Sequence, residues 1–313
     1  MSARHGPARE GGTTLAELLV ALALGLGVLL AGAVLMIGAN RSYVAHQDAA
    51  GVDDGGRFAL ALIGRAVAQG AFVDWERLGG AAPATRGPAP LAGLDSRSLR
   101  KTGPGIDNPV GAAVNGSDVL AVRFAGAGAA PHGDGSVIDC AGFPVHAAKE
   151  GWSIFYVARN SDGLAELRCK YRGAADWSAD AVVAGVDSFQ VLYGVDTDTP
   201  PDGTPNRYVN AGALAALDAA LPLAGGGQAE LNEKTWWKRV ASVQVALLLH
   251  GERPSGAPVG PAAYALFGPA YGAAGAGVQD VGVHVTAAAL AGRAAAPARR
   301  LFTAVFAVGA AQP

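Results

Sequence analysis

Residues 18–39 read LLVALALGLGVLLAGAVLMIGA, 22 residues without a charged side chain. As an α-helix rising 1.5 Å per residue, this stretch is about 33 Å long, enough to cross a hydrocarbon core of roughly 30 Å. No second stretch of the 313-residue chain matches it. The nearest, around Val240–Leu249 and Leu301–Val308, have strand length and are interrupted. A single anchoring helix is therefore expected near the N-terminus. The rival reading is a secretory signal peptide, whose apolar region spans roughly 7–15 residues and ends in a small-residue cleavage site.

Away from this block the apolar character is diluted. Hydrophobic residues make up 50% of the chain and charged residues 16%, where an ordinary domain carries about 25% charged. Ala, Gly and Pro together supply 131 of the 313 residues, so much of the hydrophobicity is small-residue filler. With 24 Lys and Arg against 26 Asp and Glu, the net charge is −2. That lacks the basic excess of a dedicated nucleic-acid binder. The length allows one large or two modest domains with an independent core. Two cysteines are too few for a disulfide-dense scaffold or a four-thiolate zinc site.

The apolar run is entered through a distinctive sequence. Met1–Gly12 is a short polar leader with Arg4, Arg9 and Glu10, followed by Thr13-Thr14-Leu15-Ala16-Glu17. A carboxylate at the mouth of a membrane helix is costly to bury and is often functional. Alternatively, Glu17 is an ordinary helix-start acid favoured by the helix dipole. Taken together, the leader resembles that of type IV pilins and pseudopilins, in which a basic leader ends in Gly and precedes Phe-Thr-Leu-x-Glu and about 20 apolar residues. Thr13 stands here where that family has Phe or Met. The resemblance implies cleavage after Gly12 by a prepilin peptidase and N-methylation of Thr13. It also implies a role for Glu17 in pairing with a neighbouring subunit's N-terminal amine during assembly.

Beyond the span, apolar positions continue at helical spacing through residue 69. Ala59, Ile63 and Val67 form one row, with Phe58, Leu62 and Ala66 alongside, on one predicted face. Asp53-Asp54-Gly55-Gly56 interrupts the row with poor helix formers, and a bend or loosened turn is expected there. Residues 17–26, Gly56-Arg57-Phe58-Ala59-Leu60 and the exit Gly70-Ala71-Phe72 resemble the PilW subgroup of minor pilins. So do residues 186–196 (VDSFQVLYGVD), residues 240–249 (VASVQVALLL) and Arg299-Arg300-Leu301-Phe302-Thr303.

Residues 73–116 lack periodicity and are rich in Pro and Gly, which predicts mainly loop. Strand patterns follow at 118–124, 153–158, 165–171, 186–193, 241–249 and 301–308, with a short helix at 211–220. Asn160-Ser161-Asp162-Gly163 lies between two strand-like runs and predicts a hairpin. The expected fold is α+β and pilin-like: a long N-terminal helix, membrane-spanning in its first half, packed on an antiparallel β-sheet domain. The divisions read as leader 1–12, transmembrane and assembly helix 13–39, amphipathic continuation 40–70, and a β-rich globular domain 71–313.

In an exported domain Cys140 and Cys169 are expected to form a disulfide, a reactive or metal-binding pair being the alternative. Asp196, Asp198 and Asp202 present alternating carboxylates in a Gly-containing loop, hard oxygen ligands of the kind calcium takes, though without EF-hand spacing. A solvated turn is the plainer reading. Trp236-Trp237-Lys238-Arg239 reads either as an exposed aromatic-basic contact patch or as one tryptophan capping the core with the cations in water. Catalytic signatures are missing: no nucleophile elbow, no phosphate-binding lysine loop, no His-Glu-x-x-His and no dinucleotide fingerprint.

The sequence therefore points to a non-enzymatic assembly protein without a cofactor. The resemblance implies a minor pilin that helps prime pilus assembly, located at the tip and serving adhesion or twitching motility. Its implied partners are other minor pilins, the major pilin, an adhesin-like tip protein, the prepilin peptidase and the inner membrane, which it would span once before joining the pilus. Two alternatives stand beside it: a minor pseudopilin of a type II secretion system, and a membrane-anchored periplasmic binding module or enzyme.

Overall fold

The computed structural model describes residues 12, 14–70, 86–173, 175–254, 263–273, 275–286, 288–290 and 297–308. It divides the chain into two compact units, Met1–Asp48 and Ala49–Pro313. Helix α1, Leu15–Gln69, contributes residues to both units. In the first unit every large apolar side chain from Leu15 to Ile37 is exposed, at 54–76%.

The second unit is an antiparallel α+β domain, as expected. One sheet has five strands in the order β1 (Leu91–Leu94), β4 (Val119–Ala125), β5 (Glu150–Arg159), β6 (Ala165–Arg172) and β7 (Trp177–Ala184). The other has four, in the order β13 (Pro297–Ala307), β10 (Val240–Pro254), β8 (Val186–Val195) and β9 (Arg207–Val209). Two-stranded pairs are formed by β2 (Arg97–Ser98) with β3 (Val110–Ala112), and by β11 (Ala263–Ala265) with β12 (His284–Thr286).

The main core lies where α1 meets both sheets. Ala59, Leu62, Ile63, Ala66 and Val67 of the helix share a cluster with Leu120, Val122, Phe155, Val157 and Leu167 of the five-stranded sheet. Phe189, Val191, Tyr193, Val243, Val245 and Leu247 complete it from the other sheet. Burying a side chain such as Ile63 stabilises by about 1.5–3 kcal/mol, so this contact anchors the helix. Alternation along β4 sends Leu120, Val122 and Phe124 to this core and Val119 and Ala121 to a second cluster with Leu99, Ile154 and Tyr156. Strand β8 is buried at all ten positions, as an interior strand covered on both faces must be.

Three expectations need correction. Phe58, placed on the buried face by its spacing, is 58% exposed, because the docked stripe is centred on Ala59, Ile63 and Val67 and leaves Phe58 turned away. Residues 53–56 do not interrupt the helix. A Cβ on Gly56 would lie 2.4 Å from the ring of Phe302, and one on Gly64 would lie 2.5 Å from the ring of Phe306. Eight residues of helix rise 12 Å and four residues of strand about 13 Å, so glycines eight apart match phenylalanines four apart. The glycines are notches, and Arg300 bonds Asp53 at the start of the same alignment. Finally, the segment expected to be loop contributes β1, an edge of the five-stranded sheet, and the β2–β3 pair, while 71–85 lie outside the described residues.

The hairpin at 160–163 is formed. Asn160 Oδ1 accepts from the Asp162 and Leu164 backbone N–H groups, and Gly163 has φ +79°, a left-handed conformation glycine adopts at little cost. The helix expected at 211–220 is present as Ala211–Ala219, capped by the Asn210 side chain.

Candidate functional site

The N-terminal turn of α1 carries the candidate assembly residues. Thr14 and Glu17 stand in a Thr-x-x-Glu arrangement, and the two cap each other. The Thr14 hydroxyl oxygen accepts from the Glu17 backbone N–H at 3.3 Å, while Glu17 Oε2 accepts from the Thr14 backbone N–H at 2.9 Å and its hydroxyl at 3.1 Å. Such a capping box satisfies N–H groups that the first turn would otherwise leave without partners. It also turns the Glu17 carboxylate back toward the chain's start. The signal is present in the sequence as Thr14-x-x-Glu17, and the cap agrees with the reading of Glu17 as a helix-start acid. Gly12 is exposed, and Thr13, the residue of the expected cleavage and methylation, lies outside the described residues.

The far end of α1 is fastened by a clasp that the sequence does not announce. The Gln69 side chain donates to the Ile138 carbonyl at 2.9 Å and accepts from the Ile138 N–H at 3.1 Å. Two residues on, Cys140 is disulfide-bonded to Cys169 on β6, with a Cα–Cα distance of 5.9 Å. The pairing expected from sequence is thus formed, and it ties the segment that holds the helix end to the sheet.

A buried ionic row crosses the four-stranded sheet on the face away from the main core. Asp187 on β8 lies 3.0 Å from His250 Nδ1 on β10 and 2.7 Å from Arg299 Nε on β13. Burial pushes the Asp187 carboxyl up, but the hydrogen bonds and charges of His250 and Arg299 outweigh it and hold it below the usual carboxylate range. Residues this far apart in sequence give no spacing signal, and only strand pairing brings them together. A second buried carboxylate, Asp118, bridges the sheets by accepting from the Ser96 and Val191 N–H groups, both at 3.0 Å.

Asp196, Asp198 and Asp202 do converge, with one carboxylate oxygen of each within 4.8 Å of the others. Their oxygens already accept hydrogen bonds from the loop itself. Asp196 takes the Asp198 N–H at 2.9 Å and the Gly203 N–H at 2.7 Å, Asp198 takes the Asn206 side chain, and Asp202 takes the Thr204 N–H. Arg239 donates to the Asp198 carbonyl and brings a positive charge to the same loop.

Trp236 and Trp237 lie in a short 3₁₀ turn, Trp236–Arg239, and pack against the main core. Trp237 meets Tyr193 edge-on at 4.8 Å between ring centroids, and the Arg239 guanidinium covers Trp236 at 4.9 Å. Both tryptophans thus cap the core, where one was expected, and Arg239 is held by Trp236 and the Asp198 carbonyl instead of facing water.

No curated protein and no solved structure matches the chain. The family model described as PilW, type IV pilus-assembly protein W, matches residues 154–308, from within β5 to the end of β13. The match includes residues 186–196, 240–249 and 299–303, the same stretches that hold Asp187 and Arg299. Helix α1 and the leader lie outside it.

Proposed function

We propose that this chain, a PilW-family sequence over residues 154–308, is a minor pilin that helps prime assembly of a type IV pilus and sits at its tip. Involvement in type IV pilus assembly, as a structural component working with other assembly components, follows from the family. The finer reading is carried by one observation. Between Leu15 and Ile37 the helix leaves every large apolar side chain exposed, at 54–76%. Monomeric soluble proteins rarely expose apolar patches of more than a few hundred Å². Such a helix needs lipid around it, and later the helices of other subunits.

In this reading the chain is made as a prepilin and held in the inner membrane by α1, with its β-rich domain in the periplasm. Prepilin peptidase cuts after Gly12, and Thr13 is N-methylated. Glu17, turned back by its capping box, receives the N-terminal amine of a neighbouring subunit. In apolar surroundings either charge alone would be strongly unfavourable, so the pair also sets register. Other minor pilins, the major pilin and an adhesin-like tip protein are the partners, and adhesion or twitching motility is the output at the cell surface.

Two measurements test this. Mass spectrometry of the mature chain is expected to find N-methylated Thr13 at the N-terminus, and an intact leader or a start beyond Ala39 would refute it. Deletion is expected to remove pili and leave protein secretion intact. Loss of secretion with normal piliation would instead indicate a type II secretion pseudopilin.

A further inference from the structure

Strand β13 is the outer strand of the four-stranded sheet, paired on one side with β10. The Val308 N–H donates to the Ala241 carbonyl, which makes that pair a hydrogen-bonded one. In an antiparallel ladder such pairs recur at every second residue. With Phe302 opposite Leu247, Ala304 opposite Val245 and Phe306 opposite Val243, the backbones of 302, 304 and 306 face β10. Those of Leu301, Thr303, Val305 and Ala307 face outward, and among the described residues no backbone hydrogen bond is made to them.

Natural edge strands are usually blunted by lysine, proline, a bulge or shortness. From Leu301 to Val308 the sequence LFTAVFAV has no charge and no proline, and its register against β10 is regular from residue 301 to residue 307. The two cations at its start are occupied, Arg299 by Asp187 and Arg300 by Asp53. Phe302 and Phe306 pack against α1, and Val305 beside them is 54% exposed.

We infer that the outer edge of β13 is an assembly surface that takes an extended, uncharged segment of about seven residues from a different pilus subunit, added as a further strand. This rests on the pilus-subunit reading above. Main-chain groups provide the affinity, and the neutrality of 301–308 matches a neutral strand, since a charged one would find no counter-charge. A second copy pairing edge to edge would form a closed two-fold contact that uses up both edges and joins no other subunit.

The experiment uses the full chain in cells that assemble the pilus. A benzophenone amino acid replaces Thr303, and adducts formed on irradiation are identified by mass spectrometry. The expected adduct joins this chain to another pilin-like subunit. Val305→Pro complements it: the lost N–H points outward, so the β10 ladder keeps its bonds while an added strand is blocked. Val305→Lys places a charge at the same edge and removes no backbone donor. Both variants are expected to retain the disulfide and the unfolding temperature of the parent while reducing pilus number at least tenfold. Normal piliation with either folded variant, no adduct, or adducts only between copies of this chain would overturn the inference. If deletion of the whole chain leaves piliation normal, the pilus-subunit reading fails instead, which separates the two.

Discussion

Replacing Gly56 by alanine tests whether the helix glycines are notches or loosened turns. The added methyl would sit 2.4 Å from two ring carbons of Phe302 and 2.6 Å from a third. Carbon pairs prefer roughly 3.5–4.0 Å, so the ring would have to retreat by about 1 Å or more. The backbone of Phe302 is fixed by its pairing with Leu247. Overpacking of this kind costs about 1–3 kcal/mol, and alanine returns about 1 kcal/mol of helix propensity, leaving a net loss of about 1 kcal/mol. Gly51→Ala is the control in the same helix: nothing lies within 4 Å of its Cβ position, so only the gain of about 1 kcal/mol remains. The variants should differ by about 2 kcal/mol, or roughly 4–8 °C in unfolding midpoint for a domain of this size. The assay is a tryptophan-fluorescence melt of the full chain in detergent. Adding Phe302→Ala removes the obstacle, so Gly56→Ala should become neutral or stabilising in that background, a coupling of about 1 kcal/mol or more. If Gly56→Ala stabilises as much as Gly51→Ala, the notch argument is refuted.

Removing the disulfide by Cys140→Ser with Cys169→Ser should cost about 3.5 kcal/mol, from the chain-entropy estimate for a separation of 29 residues. Denaturant titration checks it, and a loss below about 1 kcal/mol would contradict the assigned clasp. Asp187→Asn should destabilise by about 3 kcal/mol, since it leaves Arg299 and His250 buried beside a neutral group. Its carboxyl is depressed in the folded state. The stability it confers is therefore complete above the unfolded carboxylate's value near 3.8 and is lost as pH falls through the lower folded value. Melts between about pH 2 and 7 should show a shallower acid limb in the variant than in the parent. For the loop at Asp196, millimolar calcium should move the unfolding midpoint by less than about 1 °C, because backbone N–H groups and Arg239 already serve its oxygens. A rise of several degrees that Asp198→Ala abolishes would show an ion site.

The sequence by itself determined what rests on neighbours along the chain. An uninterrupted apolar block fixes a helix of spanning length because its signal is periodic and local. The same holds for the Asn160–Gly163 hairpin, the strand cores of β4, β5, β6, β8 and β10, and the Thr14–Glu17 cap, whose partners lie within a few residues. Tertiary structure decided what depends on the facing surface. Whether Gly56 bends the helix or admits a ring depends on Phe302, nearly 250 positions away. Phe58 lies beside a buried row and is exposed because the docking face is narrower than the apolar stripe. Asp187, His250 and Arg299 become one ionic row only when three strands pair, and the open edge of β13 exists only because nothing described pairs with its outer side. Local periodicity records which residues prefer to leave water, whereas steric fit and strand order arise between segments that share no sequence signal.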